Sequence, residues 1–209
     1  MSRLIVWRHG RTEWNFTGRF QGQTDVDLDD IGVEQAEAAA PRLAAYRPDV
    51  IVSSDLRRAA RTAEALAAVT GLPVELDKRL RERDFGPWQG LTQAQIRERF
   101  PEDLARWHAA EPIENPAIET IDDMAKRVCA ALRDVVERDV VERDVAERVG
   151  VDGTAVVVTH GGAARAGCAC LLGWPRAVWH TLGVLGNCHL TELRRTADRG
   201  WNLHAHNVL

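Results

Sequence analysis

Short apolar runs and longer amphipathic stretches alternate along this chain of 209 residues. The runs at 4–7, 49–53 and 155–158 are short and rich in valine, isoleucine and leucine, which predicts buried strands. Alternating polar and apolar residues at 187–193 and 201–206 predict two further strands joined as a hairpin. Pro73 restricts another strand, at 72–76, to a sheet edge because proline cannot donate to a central ladder. Strands that alternate with helices predict an α/β protein.

Helices are predicted between the strands, at 28–46, 54–64, 92–100, 121–149 and 163–172. Pro41 is the weak point of the first helix, and Ser54 and Asp55 are candidate caps of the second. The end of the long helix carries three imperfect pentads across 134–148, and each sets Asp and Arg four residues apart. A period of five does not match the helical repeat, so we interpret the pentads as a short local duplication whose role stays open.

Composition excludes several classes of protein. A net charge of −4 offers no broad basic surface for nucleic acid, and no apolar run approaches the ~18 residues of a membrane span. The chain enters a strand at once without a signal-peptide pattern, and its four cysteines lack paired spacing. We therefore expect one cytoplasmic domain over 1–209 with reduced thiols, no nucleic-acid partner and no membrane partner. The sequence leaves the oligomeric state open, including a homodimer.

Two predicted strands end in a histidine followed by glycine. Arg8, His9 and Gly10 follow the first strand, and His160 and Gly161 follow the strand at 155–158. From the first segment alone, a solvated arginine beside a capping histidine is an equal alternative. The second pair favours a ligand crevice, because the carboxyl ends of parallel strands meet at one edge of a sheet.

Further polar groups are expected at the same edge. Either Arg57 or Arg58, just after the strand at 49–53, is expected to point inward, and the other is expected to be solvated. Glu82 lies among arginines, aromatic residues and glycines at 80–90, where a carboxyl group can serve as an acid or a base. The alternative for Glu82 is a surface ion-pair cluster.

These groups together suit phosphoryl transfer. Two guanidiniums match the oxygens of a phosphate, and a neutral imidazole can attack phosphorus. A second histidine, if protonated, would stabilise the charge that develops in the transition state. A carboxylic acid supplies the proton for the leaving alcohol. The cations already neutralise the phosphoryl group, so no metal is demanded.

The motifs at 8–10 (with Thr12 and Asn15), 53–59, 80–86 and 159–161 resemble those of the histidine phosphatase superfamily, in the branch related to phosphoglycerate mutase. The resemblance implies a three-layer α/β/α sandwich with a mixed, mainly parallel six-stranded sheet, and no cofactor or metal. It implies that His9 is the nucleophile and Glu82 the proton donor. It also implies that Arg58, rather than Arg57, is the arginine that points into the site. The phosphoryl group is then held by Arg8, Arg58 and His160, and its pocket is lined by Asn15, Gln21, Gly22 and Gly161.

Within the superfamily, the segments at 53–59, 88–96 and 182–187 resemble actinobacterial glucosyl-3-phosphoglycerate phosphatases. We therefore expect a small phosphomonoester as substrate, of a phosphoglycerate or glycosylated phosphoglycerate type, with Arg11 pairing with its carboxylate. A lid-like insertion is expected at about 92–150. At 118–120 this chain has Ile-Glu-Thr where many relatives carry Gly-Glu-Ser before the long helix. The departure at Ile118 and Thr120 leaves the shape of that lid, and hence the substrate, open. The alternatives are phosphoglycerate mutase-type transfer and a non-enzymatic phospho-ligand binding module.

Overall fold

The computed structural model describes residues 2–142, 153–196 and 198–209. Six strands form one sheet in the order β3-β2-β4-β1-β5-β6. β1, β2, β3 and β4 pair in parallel, whereas β5 is antiparallel to both β1 and β6. The predicted mixed, mainly parallel sheet is therefore confirmed, as are the hairpin and the edge position of the strand after Pro73. The strands are β1 (Ser2–Arg8), β2 (Val50–Ser53), β3 (Val74–Leu76), β4 (Thr154–Thr159), β5 (Leu190–Thr196) and β6 (Gly200–Val208).

Seven α-helices occur in the described parts of the chain. They are α1 (Glu13–Phe16), α2 (Asp30–Ala44), α3 (Arg57–Thr70), α4 (Gln93–Arg99), α5 (Pro101–His108), α6 (Ile121–Glu142) and α7 (Gly161–Leu171). Pro41 lies inside α2, one turn before its end. The predicted helix at 121–149 is observed through Glu142, and the rest of that prediction, with the last pentad, lies outside the described residues.

The start of α3 differs from the prediction. The helix begins at Arg57, and its N-cap is Leu56, which makes no side-chain cap bond. Ser54, a predicted cap, instead lies within hydrogen-bond distance of the ring of His160. The hydroxyl group therefore makes a long-range contact at 2.9 Å in addition to a long hydrogen bond, 3.4 Å, from the amide of Leu56.

Helices cover both faces of the sheet. Alternate residues of β1 point to opposite sides, so that Leu4 and Val6 pack in one core cluster with α6 and α7. Ile5 and Trp7 pack in the other cluster with α2 and α3. Burial of both faces is typical of parallel sheets, and it accounts for the uninterrupted apolar runs in the sequence. The predicted three-layer α/β/α sandwich is confirmed.

A smaller apolar cluster lies under α4 and α5. Trp88, Ile96, Leu104 and Ile118 are buried there, and the rings of Phe20, Phe85 and Trp107 pack against them. The range expected to form a lid-like insertion thus contains two environments, because α6 packs in the main core instead. A single domain over 1–209 with an insertion at 92–150 stays a prediction.

Candidate active site

The carboxyl ends of β1, β2 and β4 lie side by side. In the paired strands Arg8 is opposite Thr159, and Ser53 is opposite Val158. The residues that follow these strands are therefore delivered to one edge of the sheet, as the two His–Gly pairs predict. The rings of His9 and His160 have their centroids 5.1 Å apart at this edge.

His9 is buried, and its Nδ1 lies 2.6 Å from the carbonyl oxygen of Gly10. A carbonyl oxygen can only accept a hydrogen bond, so Nδ1 carries the proton and Nε2 keeps a free lone pair. Burial lowers the pKa of His9 well below its usual value, and the charges of Arg58 and Arg8 lower it further. The ring is therefore a neutral nucleophile at physiological pH.

His160 is also neutral in the free protein. Its Nδ1 accepts a hydrogen bond from Nε of Arg58 at 3.2 Å, and its Nε2 lies 2.9 Å from Oγ of Ser54. Burial lowers the pKa of His160 well below its usual value, and Arg58, His9 and Arg8 add to that effect. The predicted role of a protonated second histidine concerns the transition state and stays a prediction; without a bound anion the ring is neutral. Two neighbouring guanidiniums oppose a third positive charge in a site that excludes water.

Of the two adjacent arginines, the structure places Arg58 in the site. Arg58 is 1% exposed and donates to the carbonyl oxygens of Thr24 (2.9 Å) and Gly22 (2.8 Å). Burial lowers its pKa to about 10, so it stays charged. Arg57 is exposed and paired with Asp25. Gly22 has φ +54°, a backbone conformation that favours glycine. The loop whose carbonyl oxygens accept from Arg58 therefore requires glycine at this position.

Arg8 keeps a buried donor that the described residues do not use. Its Nη1 donates to the carbonyl oxygen of Leu185, and its buried Nε has no hydrogen-bond partner among the described residues. Burial lowers the pKa of this guanidinium, while Glu82 opposes the shift. A Cβ atom at Gly161 would lie 3.5 Å from Cζ of Arg8, so the chain passes close to the cation here.

Glu82 lies over the N-terminus of α7. Its Oε2 accepts from the amide of Gly162 (2.8 Å), and its Oε1 accepts from the amides of Ala163 (3.0 Å) and Arg83 (2.9 Å). The first amides of a helix have no partner within the helix, and they attract a carboxylate. A Cβ atom at Gly162 would come within 2.6 Å of Oε1. Glu82 therefore joins the two histidines rather than a surface cluster of charges.

Of the loop residues predicted to line the phosphate pocket, Asn15 is linked to His9 through Asn187. Asn15 accepts at Oδ1 from the amide of Thr12 (3.2 Å) and from Nδ2 of Asn187 (3.2 Å). Asn187 also donates to the carbonyl oxygens of His9 (3.1 Å) and Gly10 (3.2 Å). Gln21 is buried, and its Oε1 has no hydrogen-bond partner in the described ranges.

Arg11 has partners of its own. Its Nε donates to Oδ2 of Asp29 at 2.8 Å, and its Cζ lies 5.2 Å from the ring centroid of Phe16. A substrate carboxylate at Arg11 would therefore share the guanidinium with Asp29. The predicted pairing of Arg11 with substrate stays a prediction.

Sequence reasoning missed Arg127, on α6. Its Nη1 donates to the carbonyl oxygens of Arg79 (2.8 Å) and Arg81 (2.6 Å), and its Nη2 donates to that of Glu82 (2.9 Å). The same guanidinium forms a two-point ion pair with Glu119, at 2.6 and 2.7 Å. Nothing in the local sequence distinguishes this arginine from others on the helix. Asn187, noted only within a resembling segment, and Ser54, assigned to a helix cap, were likewise not recognised as site residues.

Within the described residues, no group of three or more His, Cys, Asp or Glu side chains could hold a metal ion. The helices that the structure describes include none that is long and apolar enough to span a bilayer. The geometry at the sheet edge defines a site for phosphoryl transfer, because a neutral imidazole, two guanidiniums and a carboxyl group converge there.

Comparison with known proteins agrees with this class. Residues 4–209 match the family described as the histidine phosphatase superfamily, branch 1. The chain belongs to this superfamily. It is accordingly a phosphomonoester hydrolase.

Individual relatives cover nearly the whole chain. A glucosyl-3-phosphoglycerate phosphatase of Mycolicibacterium vanbaalenii is 41% identical over 191 residues, which is 91% of this chain and 83% of the relative. A mycobacterial glucosyl-3-phosphoglycerate phosphatase solved as a complex with VO3 superposes with a TM-score of 0.83 at 39% identity, covering 99% of both chains. A phosphoserine phosphatase from Entamoeba histolytica, solved with 3-phosphoglyceric acid, has a TM-score of 0.82 at 28% identity. The alignment covers 100% of this chain and 98% of that one. These similarities extend to both the sheet and its helical layers.

Proposed function

We propose that this chain hydrolyses a phosphorylated carboxylate, of a phosphoglycerate or glycosylated phosphoglycerate type, through a phosphohistidine on His9. The observation that carries the proposal is the state of His9, a buried neutral ring with a free Nε2 between the cations Arg8 and Arg58. A neutral imidazole is a nucleophile, and flanking guanidiniums orient and neutralise a phosphate dianion.

In the first step, Nε2 of His9 attacks phosphorus, so that a P–N bond forms as the P–O bond to the alcohol breaks. Arg8 and Arg58 bind the equatorial oxygens, whose negative charge has to be stabilised in the transition state. The carboxyl group of Glu82 gives its proton to the departing alkoxide. The bound dianion also offsets the positive charges that lower the pKa of His160, which favours its imidazolium form beside the phosphoryl group.

In the second step, water attacks the phosphoryl group, the P–N bond breaks, and inorganic phosphate leaves. Glu82 now accepts the proton of the attacking water, so the enzyme returns to its starting state. We assign Asn15, Gln21, Gly22 and Gly161 to the lining of the phosphate pocket and Arg11 to substrate binding. The orphan donor Nε of Arg8 supports a phosphate at this place, because phosphate oxygens accept hydrogen bonds.

The substrate class is supported by the names of the relatives, which act on glucosyl-3-phosphoglycerate or on phosphoserine. Both compounds carry a carboxylate close to the phosphate ester. The half-buried rings of Phe20, Phe85 and Trp107 at the edge of the cluster under α4 and α5 offer apolar surface of the kind that packs against a sugar ring. We propose that α4 and α5, within 92–150, cover the substrate there.

The test is hydrolysis of p-nitrophenyl phosphate with EDTA present, followed by rapid quenching, proteolytic digestion and mass analysis of the peptides. Metal-independent turnover and a phosphorylated peptide that contains His9 are expected. Absence of either result contradicts the mechanism. A screen of phosphorylated metabolites then ranks the substrates. Formation of isomeric phosphoglycerates instead of inorganic phosphate would identify the mutase alternative.

We also propose a cytoplasmic location and a homodimer. Four free cysteines, three of them buried, suit a reducing compartment. The outer strand β6 is a sheet edge, and edges offer unpaired backbone groups to a second copy. Light scattering coupled to size exclusion measures the mass in solution, and a monomeric mass would refute the dimer.

A further inference from the structure

Arg165 is a half-buried cation on the face of α7 that meets the active site. It follows Gly162 by three positions and Gly161 by four, so the three residues share one helix face. Gly162 closely approaches the carboxylate of Glu82, and Gly161 approaches Arg8. Arg165 therefore lies one helical turn beyond the contact between α7 and Glu82.

No hydrogen bond or ion pair joins Arg165 to any residue that the structure describes. Burial lowers the pKa of its guanidinium. The charge of Glu82 opposes that shift only in part, and the nearby Arg176 adds to it. Arg165 thus has a longer-range attraction to Glu82 but no direct anionic partner among the described residues, so its guanidinium donors are available to a ligand.

Arg83 contributes a second cation to the same region. It is 8% exposed, and burial lowers its pKa too, with Glu119 and Glu82 opposing and Arg176 reinforcing the shift. Its Nε donates to the carbonyl oxygen of Glu119 at 2.6 Å, and its Cζ lies 5.5 Å from the ring centroid of Phe85. Arg176, the third cation, is paired with the exposed Asp122.

The local charges do not balance. The carboxylate of Glu82 already accepts three backbone hydrogen bonds, and both Arg8 and Arg165 have it as their main opposing charge. Arg83 is compensated first by Glu119, which is itself paired with Arg127. The phosphate of a substrate would satisfy Arg8 but would leave Arg165 without a direct anionic partner and Arg83 with a shared one. A second anionic group on the alcohol part of the substrate would satisfy them.

We propose that Arg165, with Arg83 beside it, binds the carboxylate of the leaving group and thereby selects phosphorylated carboxylates. This inference deepens the proposed function and rests on it. It places the carboxylate on the side of the alcohol that Glu82 protonates, and it leaves Arg11, which is paired with Asp29, to bind other groups of the substrate. A guanidinium suits the task because it binds both carboxylate oxygens in one plane.

The experiment compares 3-phosphoglycerate with glycerol 3-phosphate, which differ by a carboxylate against a hydroxymethyl group. The measured quantity is the ratio of kcat/KM for the two esters, so that general losses cancel. In Arg165→Met we expect the ratio to fall by about tenfold or more, as loss of a charge-assisted bond implies. Arg165→Lys should restore part of the preference. Arg42→Met, on an exposed position in the last turn of α2, is the matched control.

Three outcomes overturn the inference. The ratio is unchanged in Arg165→Met, or it falls in Arg11→Ala instead, or the wild-type protein shows no preference for the carboxylate. Circular dichroism identifies a misfolded variant, and Arg83→Met then provides the second test of the same ratio. Failure of the proposed function itself gives a different result, since the wild-type protein would neither hydrolyse p-nitrophenyl phosphate nor label His9.

Discussion

Arg127 donates to the main-chain carbonyl oxygen of Glu82 at 2.9 Å, while the carboxylate of Glu82 is bound by amides at the start of α7. The main chain of Glu82 is thus held by α6, and its side chain is held by α7. These helices pack together in one core cluster. The position of the carboxyl group relative to His9 therefore depends on a residue outside the reacting atoms, and Arg127 acts as a positioning residue.

We expect Arg127→Lys to slow alkyl phosphates by about tenfold or more, with a smaller loss for p-nitrophenyl phosphate. A lysine cannot donate to three carbonyls and Glu119 at once, so the segment of Glu82 is displaced, and small displacements are costly in catalysis. The measurement is kcat across a series of leaving groups. Arg133→Lys, at an exposed position of the same helix, is the control. Equal losses for all leaving groups would show that Arg127 supports the fold alone.

His9→Ala should abolish turnover and phosphoenzyme formation while leaving the far-ultraviolet circular dichroism unchanged. Among the residues that the structure describes, the ring makes one hydrogen bond, to the neighbouring carbonyl, so its removal costs the fold little while the nucleophile is lost. Steady-state assays and rapid-quench labelling measure both quantities. A residual activity above a few per cent would exclude a covalent intermediate on His9.

Glu82→Gln should slow esters of poor leaving groups by about 100-fold or more, in line with general acid catalysis. Its effect on p-nitrophenyl phosphate should be much smaller, because nitrophenolate departs almost unaided. The amide side chain keeps the size of the carboxyl group, although its NH2 group cannot accept a hydrogen bond from the backbone amides of α7. The slope of log kcat against the pKa of the leaving alcohol checks the prediction. An unchanged slope would assign Glu82 a structural or electrostatic role.

Acid should destabilise the folded protein through its two buried neutral histidines. The folded-state pKa of both is lowered, so below about pH 6.5 the unfolded chain binds protons that the folded chain does not. The contribution of these two histidines to the free energy of unfolding is therefore fully present above that pH, and it is lost as the pH falls toward the folded-state pKa values. Each histidine contributes up to about 1.4 kcal/mol per pH unit.

Urea unfolding at about pH 7 and about pH 5 measures this effect. His160→Gln should remove one histidine's share of the difference in unfolding free energy between the two pH values. His204→Gln, at an exposed position of β6, should leave that difference unchanged. The same pH dependence in His160→Gln as in the parent protein would contradict the assignment of His160 as a neutral buried group.

The sequence alone predicted the sheet and the residues that end its strands, for physical reasons that operate locally. Buried parallel strands require uninterrupted apolar runs, and β1 and β4 have them. The residues after such strands lie at one edge, which brought His9 and His160 together before any distance was known. The composition of 80–90 and the strand end at 53 also pointed to Glu82 and to one of Arg57 and Arg58, and the family motifs then favoured Arg58 and implied that Glu82 is the proton donor.

Only the tertiary structure decided the contacts between distant segments. Ser54 lies 106 positions from His160, and Arg127 lies 45 positions from Glu82, so no local pattern encodes either contact. The neutral state of His160 likewise depends on two guanidiniums from other segments and on burial. Charge state and positioning are properties of the whole set of neighbours, because electrostatic energies depend on distance and on access to water. The order of residues along the chain determines which side chains reach the sheet edge. The packing of the helices against the sheet determines the charge state and the position of each side chain there.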